Sequence, residues 1–296
     1  MSEFLQQLLN GLSLGAIYAL IALGYTMVYG VLRFINFAHA DVFMVGAFIG
    51  YYMGRIVPHG TMWGGLLVLV TAMIGCALLG MLIERLAYRR LRGGPTLNVL
   101  ITAIGVSLLL EYSGQVFFGA APRTFPPLFP SLNFEVRGLV ISTNQLAVIV
   151  LAAILVLGLQ FIVYRTKIGT AMRAVSLNPK AAQLVGVNND VVISFTFALG
   201  SALAAAGGIL YALNYPSIDP LMGVMPGLKA FVAAILGGIG NIPGAALGGL
   251  ILGTVETFVN GSQWSTYKDA IAFAILIIIL LFRPAGLLGK FTVEKV

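Results

Sequence analysis

The sequence predicts an all-α polytopic membrane protein with about eight hydrophobic segments, one or two of them broken or re-entrant. Three observations carry that prediction. Of the 296 residues, 59% are apolar and only 9% charged, whereas soluble domains run at about 45–50% and 25%. The mean hydropathy is +0.99. The charged residues are also unevenly placed, leaving gaps wide enough for a helix of roughly 20 residues to cross a hydrocarbon core of about 30 Å. The 36 glycines fit the same class, because glycine is more frequent in transmembrane helices than in soluble ones. This composition disfavours nucleic-acid binding, disorder and a disulfide scaffold. A net charge of +7 reads as basic loops facing an anionic cytoplasmic leaflet. The single cysteine, Cys76, sits in an apolar run and reads as a small buried hydrophobe.

In order, the segments are residues 4–32, 34–53, 56–83, 93–118, 138–164, 191–218, 230–255 and 264–282. The first starts at MSEFLQQ, which has no Lys or Arg, and its apolar run exceeds a signal-peptide core, so it reads as a retained helix. The second carries Asn36, His39 and Asp41, polar groups that are costly in lipid unless they face protein or water. The fourth contains Glu111, and the last begins at Trp264 and Tyr267, which suit a membrane interface. Arg85, Arg89, Arg90 and Arg92, then Arg165, Lys167, Arg173 and Lys180, then Arg283, Lys290 and Lys295 form three basic groups expected on the cytoplasmic side, together with the C-terminus. The stretch from Gly119 to Thr143, with four prolines and Arg123 and Arg137 against Glu135, reads as an external loop.

Three crossings between the second and third basic groups would separate them across the membrane, so one segment is expected not to cross. Residues 228–260 are the best choice, because GGIGNIPGAALGG breaks the apolar run with proline and clustered glycine. Broken backbone at membrane depth is tolerated only where it is buried or lines a water-filled cavity. Residues 34–53 resemble this segment in outline, each having an early asparagine, Asn36 or Asn241, followed by small residues. Transporters often bind substrate where such broken helices meet, although small residues at that spacing also serve ordinary helix packing.

Residues 165–190 form a polar loop with helix punctuation. Ser176 or Asn178 can cap, Pro179 suits a first helical position, and Lys180 to Val185 can form a short helix ended by Gly186. Ala181, Ala182, Leu184 and Val185 would give it an apolar face suited to a groove on a soluble partner.

Ala181 to Gly186, AAQLVG, resembles the core of the loop by which ATP-binding-cassette importer permeases dock on their ATPases. Lys180 stands where a glutamate is usual, and an Ile-x-Leu-Pro tail is missing. GLSLGAIYALIALGYTMVYG at 11–30, INFAHADVFMVGAF at 35–48, MRAVSLNPKAAQLVGVN at 172–188, GLKAFVAAILGGIGNIPGAALGGLILG at 227–253 and the terminal VEKV extend the likeness across essentially the whole chain. Together they resemble the LivH-type permease family of branched-chain amino-acid importers. The resemblance implies a single transmembrane permease domain, 1–296, in a bacterial inner membrane. It further implies a second related permease, two cytoplasmic ATPases that bind the ATP and magnesium, and a periplasmic binding protein delivering leucine, isoleucine or valine. No cofactor is expected on this chain: no GxxxxGK[ST] occurs, since GLLGKFT lacks the first glycine at the needed spacing.

For the substrate pathway, Asn36, His39, Asp41, Gly237, Gly238, Gly240 and Asn241 are expected to supply polar contacts and exposed amides. The plainer alternative makes His39 and Asp41 a structural pair, or pairs Asp41 with Arg33. For ATPase docking, the expected residues are Arg173, Ala174, Asn178, Ala181, Ala182 and Gly186; a basic loop lying on anionic lipid is the alternative. Glu111, Glu256 and Asp219 are expected to be solvated or interfacial. An ion-coupled secondary amino-acid transporter is the competing function, one that needs no capped docking helix. An enzyme has little support, because His39 has only His59 as a companion histidine and neither a metal cluster nor a nucleophile with its base is in view.

Overall fold

The computed structural model describes residues 2–58, 60–130, 132–136 and 138–289. His59, Arg137, Lys290, Lys295 and the terminal VEKV lie outside them. The first helix, α1 (Ser2–Leu32), is the axis of the bundle, and its residues from Ser13 to Val28 are buried on every side. It can be enclosed because glycines let neighbouring backbones approach. Gly11 and Gly15 of α1 face Thr254 and Leu250 of α10 (Ile242–Asn260), where an added Cβ would lie 2.8 Å from a backbone atom. Glycines four residues apart on facing helices are a membrane packing device.

On the other flank runs α8 (Asn189–Asn214), antiparallel to α1, with Gly24 near Gly200 at one end and Asn214 bonded to Ser13 at the other. Next to it, α2 (His39–Gly54) runs parallel, Gly46 against Ala205 and Gly50 against Ile209. The outer helices are α3 (Met62–Ile83), α4 (Thr96–Phe118), α5 (Thr143–Arg165) and α11 (Lys268–Phe282). On α3, Leu67, Val70, Ile74, Leu78 and Leu82 are exposed at helical spacing, a stripe suited to lipid. Among the described residues, seven helices are long and apolar enough to cross a membrane.

The proline-rich stretch makes two small antiparallel ladders. β1 (Arg123–Thr124) pairs with β4 (Ser217–Ile218), and β2 (Asn133–Val136) pairs with β3 (Leu139–Ser142). Gln6 exchanges two 3.0 Å hydrogen bonds with the Val140 backbone, which fixes the start of α1 at this end. The basic segments gather at the other end. Ser176 bonds the Gly30 carbonyl at 2.5 Å, Arg89 and Arg92 reach Asp190, and the backbone of Leu287 and Leu288 bonds Leu236 and Gly237.

Residues 228–260 are discontinuous, as the glycines and Pro243 imply, but they satisfy parity in another way than the loss of a crossing. They form two antiparallel helices, α9 (Val224–Gly237) and α10, with Gly237 against Gly244 and Gly248 against Ala233. At 14 residues, α9 is only about 21 Å long. It starts within the bundle, where Gly223 and Gly227 lie on Ala40 in the first turn of α2. One apolar run thus becomes a down-and-up pair, which the hydropathy of a continuous segment does not reveal.

Candidate functional site

The seven pathway residues fall into two groups with separate contacts. Asn36 lies in the link between α1 and α2 and accepts a 2.6 Å hydrogen bond from the Tyr88 hydroxyl. Tyr88 is turned inward by a single π-helical turn, Glu84–Tyr88, at the end of α3. His39 places Nε2 3.2 Å from the Ile21 carbonyl, and only a glycine at position 24 leaves room for its ring. Asp41 accepts from the Ser107 hydroxyl of α4 at 2.5 Å. His39 and Asp41 therefore do not bond each other; each is buried with its own partner. In the second group, Asn241 caps α10 by accepting from the Gly244 amide at 3.2 Å and donates to the Leu288 carbonyl at 2.7 Å. Gly238 and Gly240 take positive φ, +104° and +91°, and Gly238 packs on Ala285 and Gly289. What meets the start of α2 is the start of α9, at Gly223 and Gly227.

The six residues expected to dock on an ATPase lie together on α6 (Lys167–Leu177), α7 (Pro179–Leu184), the link between them and the turn that follows. Arg173 and Ala174 are on α6, Arg173 stacking over the Tyr164 ring at 5.7 Å. Asn178 caps α7 by accepting from the amides of Lys180 and Ala181 at 3.0 and 3.1 Å, with Pro179 in the first helical position. Gly186 ends the motif at φ +88°, with no atom within 4 Å of where a Cβ would stand. The apolar face differs from the expected one. Ala182 turns inward and is buried, whereas Leu177, Leu184 and Val185 project outward, 86%, 89% and 78% exposed.

A family model described as a branched-chain amino acid transport system permease component matches residues 7–280. The chain belongs to that family. The permease is 42% identical to the high-affinity branched-chain amino acid transport system permease protein BraD of Pseudomonas aeruginosa, over 99% of this chain and 98% of that one. It is also 42% identical to the permease protein LivH of Escherichia coli, with the same coverage, and 41% identical to LivH of Salmonella typhimurium. No solved structure matches.

Two charged networks of the permease escape a reading of the sequence. Glu256 is buried, not interfacial, and with it Lys229, which hides in the apolar run of α9. The Lys229 ammonium lies 2.5 Å from a Glu256 oxygen and 2.6 Å from Asp269, and the Tyr18 hydroxyl donates to Glu256 at 2.9 Å. At the basic end, Glu84 is fully buried, paired with Arg92 and hydrogen-bonded by Ser194 at 2.5 Å. Arg92 also holds Asp190 at 2.6 Å. Burial pulls the Arg92 guanidinium below its ordinary range, and Asp190 opposes that shift. This second network ties the end of α3 to the start of α8, which follows α7. The signal available in the sequence was Lys229 itself, a lone cation within an apolar run. Asp219 bonds the Leu221 amide in an exposed turn, and Glu111 is half-buried on α4. Among the described residues, no group of three or more His, Cys, Asp or Glu is arranged to hold a metal.

Proposed function

We propose that this permease is the membrane-spanning subunit of an ATP-driven importer of leucine, isoleucine and valine in a bacterial inner membrane. Its end bearing α6 and α7 faces the cytoplasm, together with the C-terminus. The whole described chain acts as one permease domain, paired with a second, related permease. Two cytoplasmic ATPases bind and hydrolyse the ATP, with its magnesium, and a periplasmic amino-acid-binding protein supplies substrate at the opposite end. Family membership supports the transport of branched-chain amino acids.

The observation that carries the ATP-driven reading is the capped α7 and its flanks, where Leu177 at the end of α6, Leu184 on α7 and Val185 just after it point away from the bundle. Leucines exposed to that degree in a polar segment mark an interaction surface, and a helix offering apolar anchors fits a groove on a soluble partner. An ion-coupled transporter acting alone has no need of such a surface. Purification of the tagged permease from its native membrane in mild detergent, followed by mass spectrometry, is the test. An ATPase and a second permease are expected to accompany it, with the ATPase lost from a Leu184→Asp variant. A stable permease with no ATPase, under conditions that keep related complexes intact, favours the ion-coupled transporter.

A further inference from the structure

A cavity of about 610 Å³ opens at the hairpin end of the bundle, between the first turns of α1 and α5 and the last turns of α8 and α10. Its size falls within the range of small-molecule sites, roughly 300–1,000 Å³. Its walls are unusually polar for a protein of this composition, with Asn10, Ser13, Asn144, Asn214 and Lys268 among them, and the Glu256 carboxylate lines it. Leu14 and Leu213 supply apolar wall.

Three features point to a ligand. The network beneath the cavity holds one cation, Lys229, between two carboxylates, the buried Glu256 and the 42%-exposed Asp269, so it carries an excess negative charge. An excess carboxylate charge at this end of the bundle favours an incoming cation. The Asn144 side-chain oxygen is buried and accepts no hydrogen bond from any described residue. Lys268, half-buried at the rim, has no ion-pair partner among the described residues. An acid in the wall, a cation at the rim and leucine side chains between them match a zwitterion with an aliphatic side chain.

We propose that this cavity is an amino-acid subsite, in which Glu256 receives the α-ammonium group and Lys268 the α-carboxylate. The inference rests on the transport reading and adds to it a place and a polarity for the substrate.

Cysteine protection in membranes holding the assembled transporter tests this. The native Cys76 is buried, which leaves a low background for a membrane-impermeant methanethiosulfonate. Thr257→Cys places a thiol in the cavity wall, and Trp264→Cys places one on exposed surface outside it. Saturating leucine is expected to slow modification of Thr257→Cys about tenfold, as occupancy by a ligand in excess of its Kd requires, and to leave Trp264→Cys unchanged. Isocaproate, which is leucine without the ammonium, is expected not to protect. Adding Glu256→Gln is expected to abolish leucine protection, while in Glu256→Gln alone the buried native Cys76 stays unreactive, which shows that the variant is folded. Three results overturn the subsite in a transporter that still takes up leucine: an unreactive Thr257→Cys, a reactive one that leucine does not protect, or equal protection by isocaproate. Absence of branched-chain amino-acid uptake by the wild type overturns the transport reading, and the subsite with it.

Discussion

Lys229 of α9 and Glu256 of α10 form an ion pair with 2.5 Å between Nζ and Oε1, both side chains buried in a helical bundle whose neighbouring positions are apolar. The pair joins the two halves of the run broken at Gly238 to Asn241. It is extended to α1 through Tyr18 and to α11 through Asp269, so four helices meet at one charge cluster. Helices that gain little from apolar contact in lipid can be held in register by polar groups of this kind.

Removing Lys229 leaves Glu256 buried without its cation, a loss of about 3–5 kcal/mol, whereas removing Glu256 leaves Lys229 paired with Asp269 alone and costs less. Lys229→Met and Glu256→Gln should each lower the thermal unfolding temperature of the detergent-solubilised permease. The double variant should unfold closer to wild type than the sum of the single losses, because the one charge left unpaired, Asp269, is 42% exposed and no buried charge remains. Additive losses in that double-mutant cycle would show that the two side chains act separately.

Leu184 and Ala182 lie on the same short helix with opposite exposure, one 89% exposed and the other 3%. Leu184→Asp should leave thermal stability within about 0.5 kcal/mol of wild type while removing the ATPase from the purified complex. Ala182→Leu should instead destabilise the permease by about 1–3 kcal/mol through overpacking. Destabilisation by Leu184→Asp would mean that the leucine packs within the chain.

Gly186 combines φ +88° with open space, so any cost of replacing it comes from the backbone alone. Gly186→Val should cost about 1–2 kcal/mol locally, reduce ATP-driven uptake and leave membrane insertion intact. Normal uptake with normal ATPase recruitment would remove Gly186 from the docking turn.

Asn36 and Tyr88 offer a way to separate a structural role from a transport role. Tyr88→Phe leaves the Asn36 oxygen buried without its donor, at a cost of about 1–3 kcal/mol. If the pair only joins the α1–α2 link to α3, Tyr88→Phe and Asn36→Ala should reduce stability and uptake in parallel. A fall in leucine uptake specific to Asn36→Ala, beyond what its stability loss explains, would place Asn36 on the substrate route.

Much of the architecture was legible residue by residue. Runs with few or no charges located every long helix, because lipid penalises ionised side chains regardless of what the chain folds against. The α7 motif was equally readable: Asn178, Pro179 and Gly186 act on backbone within a few positions of themselves. Hidden from that kind of reading were Lys229, the inward turn of Ala182 and the division of residues 228–260 into an antiparallel pair. Each depends on which distant element lies opposite, and hydropathy averaged along a run reports only on the solvent.

Composition and charge placement alone therefore settle that the chain lies in a membrane, where its apolar segments are, and that its basic segments share one end, since these follow from local transfer energies and backbone preferences. Folding in three dimensions decides that Glu256 pairs with Lys229, that Asp41 bonds Ser107 instead of Arg33 or His39, and that a polar cavity forms where α1, α5, α8 and α10 end. The reason is physical: the state of a buried polar group is set by the group it meets across helices, and that partner can be hundreds of residues away, as Tyr18 is from Glu256.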